Sequence, residues 1–311
     1  MPDAAAFGTF PHFFSGALEL YRYSTILYFN VLEISAPLFI KRNFQTRLIT
    51  NAFFPGAYES CVALIENDDF LLSAVDLRRL VQLAQDMDFG AGPQPRRSVG
   101  GVELPAPLWN FFDEALKLPL SSDTRLHRAI LHYFLWQLAK YYIRDDTRSL
   151  EAGPSRSLVS LVKFYSAEVK RVFRGNREVN EAHFKLTPEQ LGRIPARIII
   201  ADLPLLTGYY GIPDFLQVRE LIADREFTLE RAFPRETYPG SPFDSVEAML
   251  RMLDRYLRAC EHIEFWLLIV REPEVEKQLL EYLEGKRRRS RWFDFPLLSG
   301  GTFRYLIARR M

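Results

Sequence analysis

The chain has 311 residues of ordinary globular composition, and its 40 basic side chains nearly cancel its 39 acidic ones. A formal net charge of +1 excludes general attraction to nucleic acid or anionic membrane, so such a contact requires a local patch. Cys61 and Cys260 lie far apart without metal-binding spacing, which favours two core residues of a reduced, cytoplasmic protein. No uncharged run approaches the length of a membrane span, so we predict no membrane partner.

The N-terminal third of the chain alternates between strand and helix signals. Residues 1–40 are apolar and aromatic with little charge, which predicts a buried segment. A short strand candidate over residues 48–54 then breaks at Pro55-Gly56, and a helical pattern follows. The next apolar stretch predicts a second buried strand that ends at Asp76, followed by another helix. This alternation indicates the opening of a doubly wound sheet.

The rest of the chain interrupts and then resumes this pattern. Residues 89–107 are rich in Gly and Pro and predict an exposed connection, and residues 108–173 have helical periodicity. Strands and helices then alternate again, and the last two strand candidates indicate an antiparallel hairpin. We therefore predict an α/β fold with a doubly wound, mostly parallel sheet that ends in an antiparallel hairpin and carries a helical insertion. The predicted parts are the N-terminal segment 1–40, the first half of the sheet domain 41–106, the insertion 107–175 and the second half 176–311.

The segment RIIIADLPLLTGYYG, from Arg197 to Gly211, supplies the first candidate site residue. Its isoleucine run without polar alternation is typical of an inner parallel strand, and Asp202 ends that run. Ligands of open α/β sheets bind at the carboxyl ends of the strands, so Asp202 is a candidate for chemistry. An acid that caps a helix or lies in a loop is the alternative.

Four short motifs in order resemble those of the Dam-like DNA adenine-N6 methyltransferases, which have the class I S-adenosylmethionine-dependent methyltransferase fold. Their glycine turn is matched by Phe54-Pro55-Gly56-Ala57-Tyr58, their ribose-binding acid by Asp76, their Asp-Phe pair near the cofactor adenine by His183-Phe184, and their catalytic Asp-Pro-Pro-Tyr by Asp202-Leu203-Pro204-Leu205. The resemblance implies a vestigial cofactor site at Phe54, Gly56, Tyr58, Asp76, His183 and Phe184, and a degenerate catalytic motif around Asp202 and Pro204.

The departures from the family pattern predict a loss of activity. Tyr58 puts a ring where the methionine part of the cofactor would lie, since that position needs glycine for close approach. His183 replaces an acid that would accept the adenine amino group, a loss of about 1–3 kcal/mol for a buried unpaired donor. Leu205 has no aromatic face on which a flipped base could stack, which removes about 1–3 kcal/mol. Leu203 also removes the proline that fixes the backbone of the motif.

One concentrated basic run, KRRRSRW, predicts a nucleic-acid contact. Its predicted contact residues are Lys286, Arg287, Arg288, Arg289, Arg291 and Trp292. A solvated charge run that complements a helix end is the alternative. The five histidines show no metal-ligand spacing, so we predict no metal.

These patterns together predict a catalytically inactive, methyltransferase-like protein that acts as a binding or scaffold subunit on DNA without a bound cofactor. A protein partner or self-association would cover the apolar N-terminal segment and the aromatic helices of the insertion. The alternative from the enzyme class is a divergent DNA adenine-N6 methyltransferase that binds S-adenosylmethionine and uses Asp202. A third possibility is an interaction module that shares the fold alone, because a fold does not fix a function.

Overall fold

The chain forms two compact units, which are described separately. The computed structural model describes residues 24–29, 34–68, 70–87, 95–122, 124–146, 158–164, 179–202, 214–228, 245–270, 274–286, 288–296 and 302–310. The sheet unit comprises residues 1–54, 175–210 and 229–311, and the helical unit comprises residues 55–174 and 211–228. Residues 55–106, which the sequence analysis groups with the sheet, therefore belong to the helical unit.

The described elements are named here in chain order. The strands are β1 (Thr25–Phe29), β2 (Arg47–Ala52), β3 (Arg96–Val99), β4 (Val102–Pro105), β5 (Glu181–Phe184), β6 (Ile198–Asp202), β7 (Phe265–Val270), β8 (Arg288–Pro296) and β9 (Thr302–Arg310). The helices are α1 (Ser35–Asn43), α2 (Pro55–Cys61), α3 (Ala74–Asp86), α4 (Ala106–Lys117), α5 (Arg125–Asp146), α6 (Pro188–Leu191), α7 (Asp214–Ala223), α8 (Val246–Ala259) and α9 (Glu274–Gly285). A π-helical segment, Val62–Glu66, follows α2 directly.

The sheet unit contains a seven-stranded sheet in the order β5-β2-β1-β6-β7-β9-β8. The five strands from β5 to β7 are mutually parallel, β9 runs antiparallel to β7, and β8 pairs antiparallel with β9. The predicted α/β class, its parallel sheet and its C-terminal antiparallel hairpin are therefore confirmed. The strand order reverses at β1, as in Rossmann-like sheets.

Strand β1 lies inside the segment for which the sequence analysis predicts burial without secondary structure. It pairs with β2 on one side and β6 on the other, and Ile26 through Phe29 are fully buried. Phe29 contacts Phe53 and Tyr256, with ring centroids 5.4 and 5.0 Å apart. The aromatic side chains of this segment therefore build the core of the sheet unit, and the strand was missed because short apolar runs carry no distinctive period.

Helix α8 covers part of that core with one strongly apolar face. Ser245 caps its first turn by accepting a hydrogen bond from the Ala248 N–H at 3.1 Å. Its buried residues, spaced three and four apart, include Met249, Met252, Leu253, Tyr256 and Leu257. Cys260 ends the helix and is buried as a free thiol, as is Cys61, so the prediction of two core cysteines is confirmed.

The helical unit is built around the long helix α5, which packs against α2, α7 and the π-helical segment. A smaller group joins α4 to α3 and to the β3–β4 hairpin. This hairpin lies in the stretch predicted as an exposed connection, and its turn uses Gly100 and Gly101 at φ of 56° and 85°. Among the described helices, none is both long and apolar enough to span a membrane.

The predicted second strand ending at Asp76 is wrong, because Asp76 lies in the first turn of helix α3. Ser73 caps this helix, and Asp76 bonds back to the Ser73 backbone, which completes a capping box. The apolar residues before the cap resemble a strand in composition. The Ser-x-x-Asp spacing was the sequence signal for a helix start, and it outweighs the apolar run.

Candidate functional site

Asp202 ends the inner parallel strand β6, as the sequence predicts. The strand pairs in parallel with β1 and β7, and Asp202 lies opposite Ile269. The acid therefore lies at the carboxyl edge of the sheet, where ligands of open α/β sheets bind. Leu203, Pro204 and Leu205, the rest of the predicted catalytic motif, lie outside the described residues.

The predicted cofactor turn from Phe54 to Tyr58 forms no loop, because helix α2 begins directly at Pro55. It also follows the second strand of the sheet, whereas the sequence analysis places it after the first. The Gly56 N–H donates a hydrogen bond to the Glu220 carboxylate on α7 at 2.5 Å. A Cβ at position 56 would lie 2.5 Å from the Arg219 carbonyl oxygen. Gly56 thus permits close approach of α7, and its N–H group donates a hydrogen bond to a side chain of that same helix.

Glu220 is the centre of a buried charged cluster that the sequence analysis missed. Its carboxylate is fully buried and ion-pairs with Arg219, whose Nη2 lies 2.6 Å from Oε1. The Arg219 guanidinium lies 5.5 Å from the centroid of the Trp136 ring on α5. Burial raises the pKa of Glu220, while Arg219 and the Gly56 and Ala57 N–H groups oppose that shift. In the sequence, the adjacent Arg and Glu within an apolar helical pattern were the signal that could have predicted this cluster.

The hydroxyl of Tyr58, on α2, is hydrogen-bonded to a side chain of α5. The Arg125 Nη1 donates to the Tyr58 hydroxyl at 2.8 Å, and the same guanidinium ion-pairs with Glu66. Burial works to lower the pKa of Arg125, but the bonds to Tyr58 and Glu66 outweigh it and the pKa rises. The tyrosine therefore ties α2 to the first residue of α5.

Asp76, the predicted ribose-binding acid, has both carboxylate oxygens engaged within the helical unit. Oδ2 accepts bonds from the Ser73 and Ser121 hydroxyls at 2.7 and 2.6 Å, and Oδ1 accepts from the Ser121 N–H at 2.8 Å. Burial works to raise its pKa, yet these hydrogen bonds hold the pKa below its usual value. The carboxylate thus completes the capping box of α3 and fixes the connection between α4 and α5. Its predicted cofactor role stays untested.

His183 and Phe184 lie at the end of the edge strand β5. The His183 Nε2 lies 3.0 Å from Glu181 Oε2, and Glu181 also ion-pairs with Arg47. Arg47 is the main cause of a lowered pKa of Glu181, and His183 adds to it. His183 and Asp202 share the carboxyl edge but are three strand spacings apart, about 14 Å. Phe184 is 42% exposed.

The predicted nucleic-acid run straddles the start of β8. Lys286 precedes the strand, and its Nζ lies 2.8 Å from Asp254 Oδ1 on α8. Burial works to raise the pKa of Asp254, but bonds from Lys286, Arg258 and Tyr282 lower it below its usual value. The charge of Lys286 is therefore largely neutralised within the sheet unit. Arg287 lies outside the described residues, and Arg288, Arg289, Arg291 and Trp292 are described as strand backbone.

The strand register separates this basic run from Asp202. Arg289 lies opposite Arg309, which lies opposite Phe265 and hence Ile198, the first residue of β6. Asp202 is four residues further along β6, or about 13 Å along the strand. The run therefore begins at the amino edge of the sheet, whereas the candidate catalytic acid lies at the carboxyl edge.

The described residues contain no cluster of three or more His, Cys, Asp or Glu side chains arranged for a metal ion. A comparison with models of known protein families finds no match, and neither does a comparison with curated protein sequences. The chain is therefore characterised by its fold, an α/β architecture with a Rossmann-like parallel sheet and a C-terminal antiparallel hairpin.

Proposed function

We propose that this chain is a catalytically inactive protein of the class I methyltransferase type, similar to Dam-like DNA adenine methyltransferases, that acts as a binding or scaffold subunit on DNA. The family assignment in this proposal is supported by His183-Phe184 and Asp202, which lie at strand ends, and not by Asp76, which lies in a helix. The parallel sheet with its antiparallel C-terminal hairpin supports the fold part. The assignment as catalytically inactive rests on the residues at the position of the predicted cofactor turn.

The main support for the proposal is that Gly56 makes its close contacts with the chain itself and not with a ligand. Its N–H group is bound by Glu220, and the space a Cβ would fill is occupied by the Arg219 backbone. A glycine that cradles a cofactor needs its N–H and its open face for the ligand. The residues of this turn therefore do not fit S-adenosylmethionine. Asp76, with its carboxylate engaged by two serines, supports the same conclusion.

Calorimetric titration of S-adenosylmethionine into the full-length chain tests the proposal. We expect no saturable heat at millimolar ligand, and no change in the melting temperature, since any ligand that binds the native state raises it. Saturable binding of S-adenosylmethionine to the unaltered chain would overturn the proposal.

A divergent active methyltransferase is the second candidate, favoured by the position of Asp202 at the carboxyl end of an inner parallel strand. Its Asp202 would accept a hydrogen bond from the target amine. Methyl transfer from labelled S-adenosylmethionine to DNA, lost in Asp202→Ala with an unchanged melting temperature, would establish this function. Absence of transfer to DNA and RNA would exclude it.

A further inference from the structure

The amino edge of the sheet carries arginines in two different electrostatic settings. Arginines on the parallel side face acids: Arg47 ion-pairs with Glu181, and Arg197 lies 3.2 Å from Glu264. At the hairpin, by contrast, the register sets arginine against arginine. Arg288 lies opposite Arg310, and Arg289 opposite Arg309. We call these four residues the arginine rows.

Like charges directly opposite each other on neighbouring strands are destabilising. The arginine rows are two such pairs in succession, at the open end of the outermost two strands of the sheet. Since successive residues of a strand belong to opposite faces, one pair lies on each face of the sheet. The adjoining sequence adds the positive charges of Arg287 and Arg291, and residues 286–293 and 305–311 contain no acid. A bound polyanion would relieve this repulsion.

Arginine is the side chain best suited to phosphate, because its planar guanidinium presents a fork of donors. All four residues of the rows are arginine, and duplex DNA concentrates about one negative charge in every 1.7 Å of its axis. We propose that each pair of the arginine rows binds the phosphate backbone of a nucleic acid on its own face, at the sheet edge opposite Asp202. This inference specifies the binding role proposed above and extends it to Arg309 and Arg310, which the sequence analysis did not consider.

The salt dependence of binding to a labelled 20-base-pair duplex tests the rows. A duplex on one face of the sheet meets one pair, and two phosphate contacts predict that affinity falls about 12-fold between 50 and 200 mM salt. Arg309→Gln/Arg310→Gln removes one member of each pair, and we expect the fall in affinity over the same range to be about 3.5-fold. Arg288→Gln/Arg289→Gln, on the other strand, should give the same reduction.

The matched control is Arg251→Gln/Lys277→Gln, which removes two positive charges from exposed side chains of the same unit, each within 4.0 Å of a glutamate one turn away. We expect it to keep the salt dependence of the unaltered chain. Melting temperatures at low salt report folding, and both row variants should melt no lower than the unaltered chain because repulsion is removed.

Three results would overturn the proposal. They are no binding of the duplex at 50 mM salt, row variants whose salt dependence matches the control, and tighter binding of polyglutamate than of DNA, which would indicate an acidic protein partner. None of these results involves S-adenosylmethionine, so the inactive assignment is tested independently by calorimetry.

Discussion

Replacing Gly56 with alanine tests how the turn after β2 is used. The added Cβ would lie 2.5 Å from the Arg219 carbonyl oxygen and 2.7 Å from its carbonyl carbon, both backbone atoms that cannot move aside by a side-chain rotation. Overpacking of this kind costs about 1–3 kcal/mol. Weakening the bond between the Gly56 N–H and the Glu220 carboxylate costs about 1.5–3 kcal/mol more. The higher helix propensity of alanine offsets about 1 kcal/mol of this loss in the free energy of unfolding.

The net expectation for Gly56→Ala is a loss of about 2–4 kcal/mol in the free energy of unfolding, measured by urea denaturation followed by far-UV circular dichroism. Gly285→Ala is the matched control, because a Cβ at this helix end meets nothing within 4 Å. It should leave stability unchanged or raise it by up to about 1 kcal/mol. The reasoning is refuted if Gly56→Ala is as stable as the control, which is the result expected of a glycine reserved for a ligand.

Three further predictions concern buried polar groups. Glu220→Leu leaves Arg219 buried without its carboxylate and should cost about 3–5 kcal/mol in urea unfolding, whereas Arg219→Leu/Glu220→Leu should recover part of that loss; equal losses would contradict a coupled pair. Asp76→Asn should destabilise the chain by about 1–3 kcal/mol at neutral pH, because the capping box and the bonds from Ser121 lose their charged acceptor. Since folding lowers the pKa of Asp76, its contribution is complete above the ordinary value of 3.8 and is lost as pH falls through the lower folded pKa, so the variant and the unaltered chain should converge in acid. Burial raises the pKa of Cys260 to about 12, so iodoacetamide should label it at the rate of unfolding, and fast labelling of the native chain would contradict its burial.

The amino-acid sequence determined the elements whose pattern is local. The isoleucine run of β6 predicts an inner parallel strand because an uninterrupted apolar run needs cover on both faces, and the structure has that strand with Asp202 at its end. The C-terminal hairpin was likewise predicted, since two strand patterns joined by a short glycine-containing turn pair with each other.

Only the tertiary structure decided how the candidate site residues are used. The sequence around Gly56 predicts a ligand-binding turn, yet the Gly56 N–H group donates to Glu220, which is 164 residues away in the chain. The same holds for the basic run, whose distance from Asp202 follows from strand register and not from sequence spacing. Short motifs record residue types, whereas the partner of a glycine N–H or an arginine is set by long-range packing, which no local pattern encodes.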